Sequence, residues 1–176
     1  MKIALLGGSF DPPHLAHLQV VRYLLSRGEF DQVWVYPTRQ NPFKTTETSF
    51  EHRLEMCRLA FSEFGDRVQV LDAERRLSGF TIDLVRHLLK SFPEHRFTFV
   101  GGSDLQQELP RWKDAETLKG LIDFEFLPRP PDPDSPFLDL SSSEVRQALI
   151  AGDPAERFLP KKVAEFVKNK PLYRSS

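Results

Sequence analysis

The feature that most constrains this chain is a regular alternation of two hydrophobic periods. Strand-length apolar runs rich in Val, Ile, Phe, Trp and Tyr stand at Lys2–Leu6, Gln32–Tyr36, Val68–Leu71, Arg96–Val100 and Asp123–Leu127, and each stops at Gly, Pro or Asp or at a polar stretch. Between them lie helical stripes. Leu18, Val21 and Leu25 share one face of a first helix. Phe50, Leu54, Cys57, Phe61 and Phe64 mark a second, and Ile82, Val85 and Leu89 a third. Val145, Ala148 and Leu149, then Val163, Phe166 and Val167, mark two C-terminal helices. Strands alternating with helices imply right-handed crossovers and a parallel sheet covered on both faces. The expectation is an α/β, Rossmann-like doubly wound sheet of order 3-2-1-4-5, followed by a helical part over about 141–176.

Local signals punctuate this pattern. Thr48-x-x-Glu51 and Ser141-x-x-Glu144 read as capping boxes. Asp153-Pro154 and Leu159-Pro160 read as helix starts with proline in the first turn. A short extended piece is expected at Phe137–Leu138. Pro128–Pro136 holds five prolines and two aspartates and reads as a stiff surface loop rather than a linker, so residues 1–176 are expected to form one domain.

Composition bounds the function. The 24 Lys and Arg balance 25 Asp and Glu to a net charge of −1, which gives no general attraction to nucleic acid or anionic lipid. Hydrophobic residues at 40% and charged residues at 28% argue against disorder. The lone Cys57 allows no internal disulfide and no cysteine cluster for zinc. Met1–Leu6 begins like a secretion signal but runs into Gly7-Gly8 and Asp11, and no apolar run is long enough to span a membrane. A cytoplasmic location is expected. His52, His87 and His95 read as surface residues, and Trp34 and Cys57 as core.

The most informative segment is Leu6-Gly7-Gly8-Ser9-Phe10-Asp11-Pro12-Pro13-His14-Leu15-Ala16-His17, between the first strand and the first helix. Ligands of open α/β sheets bind at this end. Paired glycines let backbone approach a phosphate, and a helix N-terminus offers unpaired N–H groups. G-x-x-x-x-G-K-S/T and G-x-G-x-x-G are both absent, which disfavours P-loop nucleotidases and dinucleotide dehydrogenases. His14 and His17 project from one side of the first turn. As metal ligands they lack a third partner, and they could be ordinary polar first-turn residues. Hydrogen-bond donation to a phosphate suits the turn better. Val100-Gly101-Gly102-Ser103-Asp104 is a second glycine turn. With strands 1 and 4 as neighbours it would face the first across one crevice, and Asp104 could accept ribose hydroxyls or cap a helix.

These residues carry a family resemblance. The first segment is similar to the G-G-T/S-F-D-P-x-H-x-G-H signature of the small α/β nucleotidyltransferases, with Ala16 in place of Gly. Leu140-Ser141-Ser142-Ser143-Glu144-Val145-Arg146 resembles their second signature, I-S-S-T-x-I/V-R. Its serines sit where a helix begins, and Arg146 can grip phosphate oxygens. The resemblance implies that Gly8, Ser9, Phe10, Gly102, Asp104, Ser141, Ser142 and Ser143 contact ATP.

Other segments resemble the bacterial nicotinate-mononucleotide adenylyltransferases nearly end to end. Pro37–Lys44 is similar to their basic loop, with Phe43 replacing a histidine, and implies that Lys44 touches phosphate. Ser78-Gly79-Phe80-Thr81 resembles their S-x-T segment. Pro110-Arg111-Trp112 resembles P-x-W, whose Trp stacks on the nicotinate ring, and Pro128-Arg129-Pro130 resembles R-P-G. Thr81, Trp112 and Arg129 are thereby implied on the acceptor side. The tail from Phe158 to Arg174 is similar to the closing pattern of the family.

The implied reaction is attack by a phosphate oxygen of nicotinate mononucleotide on the α-phosphorus of ATP, with Mg²⁺ carried by ATP. His14 and His17 would stabilise the α-phosphate, and Lys44 and Arg146 the departing pyrophosphate. An adenylyl- or cytidylyltransferase of the same superfamily with another acceptor (nicotinamide mononucleotide, phosphopantetheine, FMN or a cytidylyl acceptor) and a non-catalytic nucleotide-binding module are the alternatives.

Overall fold

The computed structural model describes residues 1–39 and 46–174. Five parallel strands, β1 (Lys2–Gly8), β2 (Gln32–Pro37), β3 (Val68–Val70), β4 (Arg96–Gly102) and β5 (Asp123–Leu127), form one sheet of order β3-β2-β1-β4-β5. The helices are α1 (Leu15–Ser26), α2 (Phe50–Phe61), α3 (Thr81–Ser91), α4 (Ser103–Glu108), α5 (Ala115–Leu121), α6 (Ser142–Ile150) and α7 (Lys161–Asn169). The expected order and strand positions hold. β1 and β4 each run two residues past the expected end, through their glycine pairs.

Period-two alternation divides β1 between two cores. Ala4 and Leu6 pack with Val33 and Val35 under α1, α2, α6 and α7, where Val21, Leu24, Cys57, Val145 and Val163 are fully or almost fully buried. Ile3 and Leu5 face the other way, with Trp34, Tyr36 and Phe99 against α3 and α5. Burial pushes the Cys57 thiol up, so it is an inert core group.

Several local expectations shift. Helix α2 is capped by Ser49, whose hydroxyl accepts from the His52 N–H, while Thr48 turns inward to donate to Asp11 at 2.7 Å. The second stripe leaves the α-helix before Phe64: α2 ends at Phe61, and Phe64 lies in the 3-10 segment Ser62–Arg67, interrupted at Gly65 with φ 55°. Ser141 and Glu144 do form the predicted capping box. Pro160 caps α7 from outside rather than opening it, and a 3-10 turn at Ala155–Arg157 follows Pro154. Phe137–Leu138 is not a strand. Helices α4 and α5 escape detection because six and seven residues are too few to display a 3.6-residue stripe. His95 is no surface residue: its side chain is 10% exposed and packs on Trp34, Phe92 and Phe97.

Gly7 shows why the first turn needs glycine. An added Cβ would lie 2.4 Å from Cζ and 2.5 Å from the hydroxyl of Tyr36, a side chain only 2% exposed. The ring cannot swing into solvent. Gly7→Ala is therefore expected to destabilise the protein by about 1–3 kcal/mol, the usual penalty for overpacking. Urea or thermal unfolding measures this, and an unchanged midpoint would contradict the close approach.

Candidate active site

The site begins with the way two strands part. β1 and β4 pair from Lys2–Arg96 to Leu6–Val100, and there their ladder stops. Each strand continues two residues with its outer neighbour: Gly7 and Gly8 opposite Tyr36 and Pro37, Gly101 and Gly102 opposite Phe126 and Leu127. A crevice opens between the two glycine pairs, at the point where the strand order reverses. A Cβ at Gly102 would meet Asp104 Oδ1 at 2.4 Å, so backbone and carboxylate are as close as glycine allows.

Beside the crevice is a cavity of about 1130 Å³, whose lining includes His14, His17, Gly102, Asp104, Arg129 and Ser141. His14 occupies the N-cap of α1 with extended backbone. Its N–H donates to Nδ1 of His17 at 3.0 Å, and the two rings lie close together, centroids 3.8 Å apart and planes tilted by 31°. Because His17 Nδ1 accepts, a neutral His17 carries its proton on Nε2. Burial, and then the Arg129 guanidinium, lower the His14 pKa to about 3. Burial, then His14 and Arg129, hold His17 well below the ordinary imidazole range. Both rings are thus neutral near pH 7 and able to act as N–H donors. Arg129 also pairs with Asp104 at 3.2 Å.

The second signature closes the site from the far end of the chain. Ser142 Oγ donates to the Pro12 carbonyl at 2.9 Å, and Arg146 Nη1 donates to the Asp11 carbonyl at 2.7 Å. Arg146 Nη2 reaches Ser143 Oγ at 3.3 Å. The glutamate of the capping box, Glu144, is held below the usual carboxylate range by the hydroxyl and N–H of Ser141. Segments 130 positions apart in sequence are therefore stitched together at the N-termini of α1 and α6.

Not every candidate borders the cavity. Phe10 is buried in left-handed backbone at φ 48°, its ring 4.8 Å from that of His17 and under Gly8. Ser9 Oγ is buried with no partner among the described residues. Ser142, Ser143 and Arg146, on α6, do not line this cavity, although Ser141 just before them does. Thr81, beside the Tyr36 hydroxyl, and Trp112, edge-on to Phe99 at 5.2 Å, belong to the other face of the sheet. Arg129, implied on the acceptor side, lies with Asp104 at the cavity. Lys44 and Phe43 fall outside the described residues.

Two buried charges escaped the sequence reading. Arg53, 1% exposed, donates to the carbonyls of Ser9 and Thr38 at 2.7 Å each and to that of Arg39 at 3.2 Å. A charged residue on the apolar stripe of α2 was the available signal. Asp11, also 1% exposed, accepts from Tyr173, Thr48 and the Glu47 N–H. Glu74 is a second buried acid, its pKa raised to about 7 chiefly by burial.

The histidine pair carries a pH signature. An unfolded histidine takes up a proton below about pH 6.5, whereas folded His14 does so only near pH 3. Between those values the unfolded chain binds more protons, so stability is full above pH 6.5 and falls as pH drops, by up to about 1.4 kcal/mol per pH unit for one such group. Thermal melts from pH 6.5 to 4.5 should fall more steeply for the wild type than for His14→Asn. Parallel curves would show that His14 is not held neutral.

Comparison with known proteins agrees with this geometry. Residues 5–148 match the family model described as cytidylyltransferase-like. A chain of Anaeromyxobacter sp. (strain K) called a probable nicotinate-nucleotide adenylyltransferase is 38% identical, the match covering 98% of this chain and 97% of that one. A Bacillus licheniformis chain of the same name is 33% identical over 99% of both. The structure of Plasmodium falciparum nicotinic acid mononucleotide adenylyltransferase complexed with NaAD superposes with a TM-score of 0.82, covering 98% of this chain and 97% of that one; at 23% identity it shows a shared fold. The chain belongs to the cytidylyltransferase-like family, among the bacterial nicotinate-nucleotide adenylyltransferases.

Proposed function

We propose that the protein transfers the AMP moiety of ATP to nicotinate mononucleotide, giving deamido-NAD and pyrophosphate. The observation that carries this reading is the closely apposed, neutral His14–His17 pair at the mouth of the β1–β4 crevice, on a turn tied to the N-terminus of α6 through Ser142 and the Pro12 carbonyl. The acceptor phosphate is already ionised at neutral pH, so the reaction needs positioning and charge stabilisation rather than a strong base.

In this reading the Nε2–H of His17, with the His14 ring beside it, donates to the α-phosphate as charge grows there. Gly8, Ser9 and Phe10 shape the turn beneath. Gly102 gives the nucleotide close access to backbone, and Asp104 accepts from the ribose. Ser141, Ser142 and Ser143 with Arg146 receive the β- and γ-phosphates, the guanidinium aimed by its bonds to Asp11 and Ser143. Lys44 adds a second cation there. Thr81 and Trp112 take the pyridine ring from the other face of the sheet, and Arg129 stands where the two substrates meet.

Among the described residues no group of three or more His, Cys, Asp or Glu could hold a metal ion. The cavity lining carries the His14 and His17 imidazoles and the Arg111 and Arg129 guanidiniums, which suit phosphate oxygens, beside the carboxylates of Asp104, Glu108 and Asp139. Mg²⁺ fits as a passenger on the triphosphate, where it neutralises charge. None of the helices among the described residues is long and apolar enough to cross a membrane, and we place the enzyme in the cytoplasm.

A pyrophosphate-release assay with ATP–Mg and matched acid and amide mononucleotides tests the reading. Release is expected with the acid form, and His17→Ala should lower kcat by roughly 10²–10³, the loss typical of a transition-state donor. ATP binding without release on any acceptor would point instead to a nucleotide-binding module.

A further inference from the structure

The contact that joins the most distant parts of the chain around the site is made by the C-terminal segment. Tyr173 donates its hydroxyl to Asp11 Oδ1 at 2.5 Å, across 162 positions of sequence. Tyr173 is 8% exposed and adopts left-handed backbone, φ 56°, a conformation disfavoured for a bulky residue. Burial, with Asp11 alongside, pushes its hydroxyl far above the ordinary tyrosine range, so it remains a donor.

Asp11 is the centre of what this hydroxyl touches. Oδ1 also accepts from Thr48 Oγ1 at 2.7 Å, and Oδ2 from the Glu47 N–H at 2.5 Å. The carbonyl of the same residue accepts from Arg146 at 2.7 Å, and that of the next residue, Pro12, from Ser142. His14 follows two residues later. The peptide that aims the guanidinium is thus oriented by a buried carboxylate, and that carboxylate by Tyr173.

We propose that Tyr173 is a positioning residue of the active site: through Asp11 it sets the approach of Arg146, and of the turn leading to His14, to the triphosphate. This rests on the adenylyl-transfer reading for the nature of the ligand. The strained backbone at Tyr173 supports it, because simple packing of the tail against the core does not require the hydroxyl to reach a carboxylate. Removing the hydroxyl leaves Oδ1 with Thr48 alone. The carboxylate then turns toward Glu47 and Thr48, and the carbonyl that holds Arg146 turns with it.

The test is a double-mutant cycle between Tyr173→Phe and Arg146→Lys, run well below the melting temperature of each variant, with kcat, KM and the calorimetric Kd for ATP–Mg as readouts. Tyr173→Phe should lower kcat about tenfold, as a small misplacement of a catalytic group does, and weaken ATP severalfold, while KM for the mononucleotide stays within about twofold. The double variant should be no worse than about twofold below Arg146→Lys alone, because both changes act on one guanidinium. Fully additive losses, or a lower melting temperature with unchanged kcat and Kd, would reduce Tyr173 to a tether and overturn the proposal. If Tyr173→Phe does not fold, Thr48→Val removes the other hydroxyl from Oδ1 and must show the same coupling to Arg146. The ATP affinities are read without an acceptor. A wild type that releases no pyrophosphate would defeat the proposed reaction, while the coupling in Kd would still decide the role of Tyr173.

Discussion

The molecule is organised by the place where the β1–β4 ladder ends. Up to Leu6 and Val100 the two central strands satisfy one another's backbone groups; beyond them each turns to its outer neighbour. A parallel sheet tolerates this parting because every strand still has a partner on one side. The glycines at the parting remove the side chains that would fill the gap, and Tyr36, pressed against Gly7, shows how little space remains there. The crevice, the N-terminus of α1 beside it and the cavity below are consequences of this one divergence.

Around that opening the protein places buried polar groups, and nearly all are tied down. Arg53 gathers the Ser9 carbonyl of the β1–α1 loop and the Thr38 and Arg39 carbonyls after β2, and Asp11 gathers donors from Glu47 and Thr48 and from the tail. Buried charges of this kind are tolerable only when their hydrogen-bonding capacity is met. The paired histidines follow another rule: burial, with rings 3.8 Å apart, favours neutrality, which leaves them able to act as N–H donors. Ser9 Oγ and His14 Nδ1, buried and lacking partners among the described residues, lie in this same region.

The fold is legible in the sequence because its signals are local. Alternation of periods, two Gly-Gly turns and the Ser141–Glu144 box are each read from residues close in sequence and, with the handedness of crossovers, point to a doubly wound parallel sheet; the order 3-2-1-4-5 enters as an expectation that the strand pairing bears out. The convergence of the two signatures is legible only with the family resemblance beside them, because no local rule links Pro12 to Ser142. Other features depend on remote partners. Thr48 reads as a helix cap until Asp11, 37 positions away, claims its hydroxyl. Arg53 interrupts an apolar stripe, but nothing local shows that the carbonyls which satisfy it come from distant turns. Tyr173 reads as part of a closing pattern with no stated task. Thr81 and Trp112 are legible as residues of interest, but their place on the opposite face of the sheet from the histidines emerges only from the strand alternation in three dimensions.

The central claim is that a triphosphate lies between the histidine pair of α1 and the N-terminus of α6. A crystal structure with a non-hydrolysable ATP analogue measures this directly. The account predicts an α-phosphate oxygen within hydrogen-bond reach of His17 Nε2 and terminal phosphates directed at the Ser141–Ser143 turn. A triphosphate bound away from the β1–β4 crevice, with both imidazoles still facing protein, would contradict it.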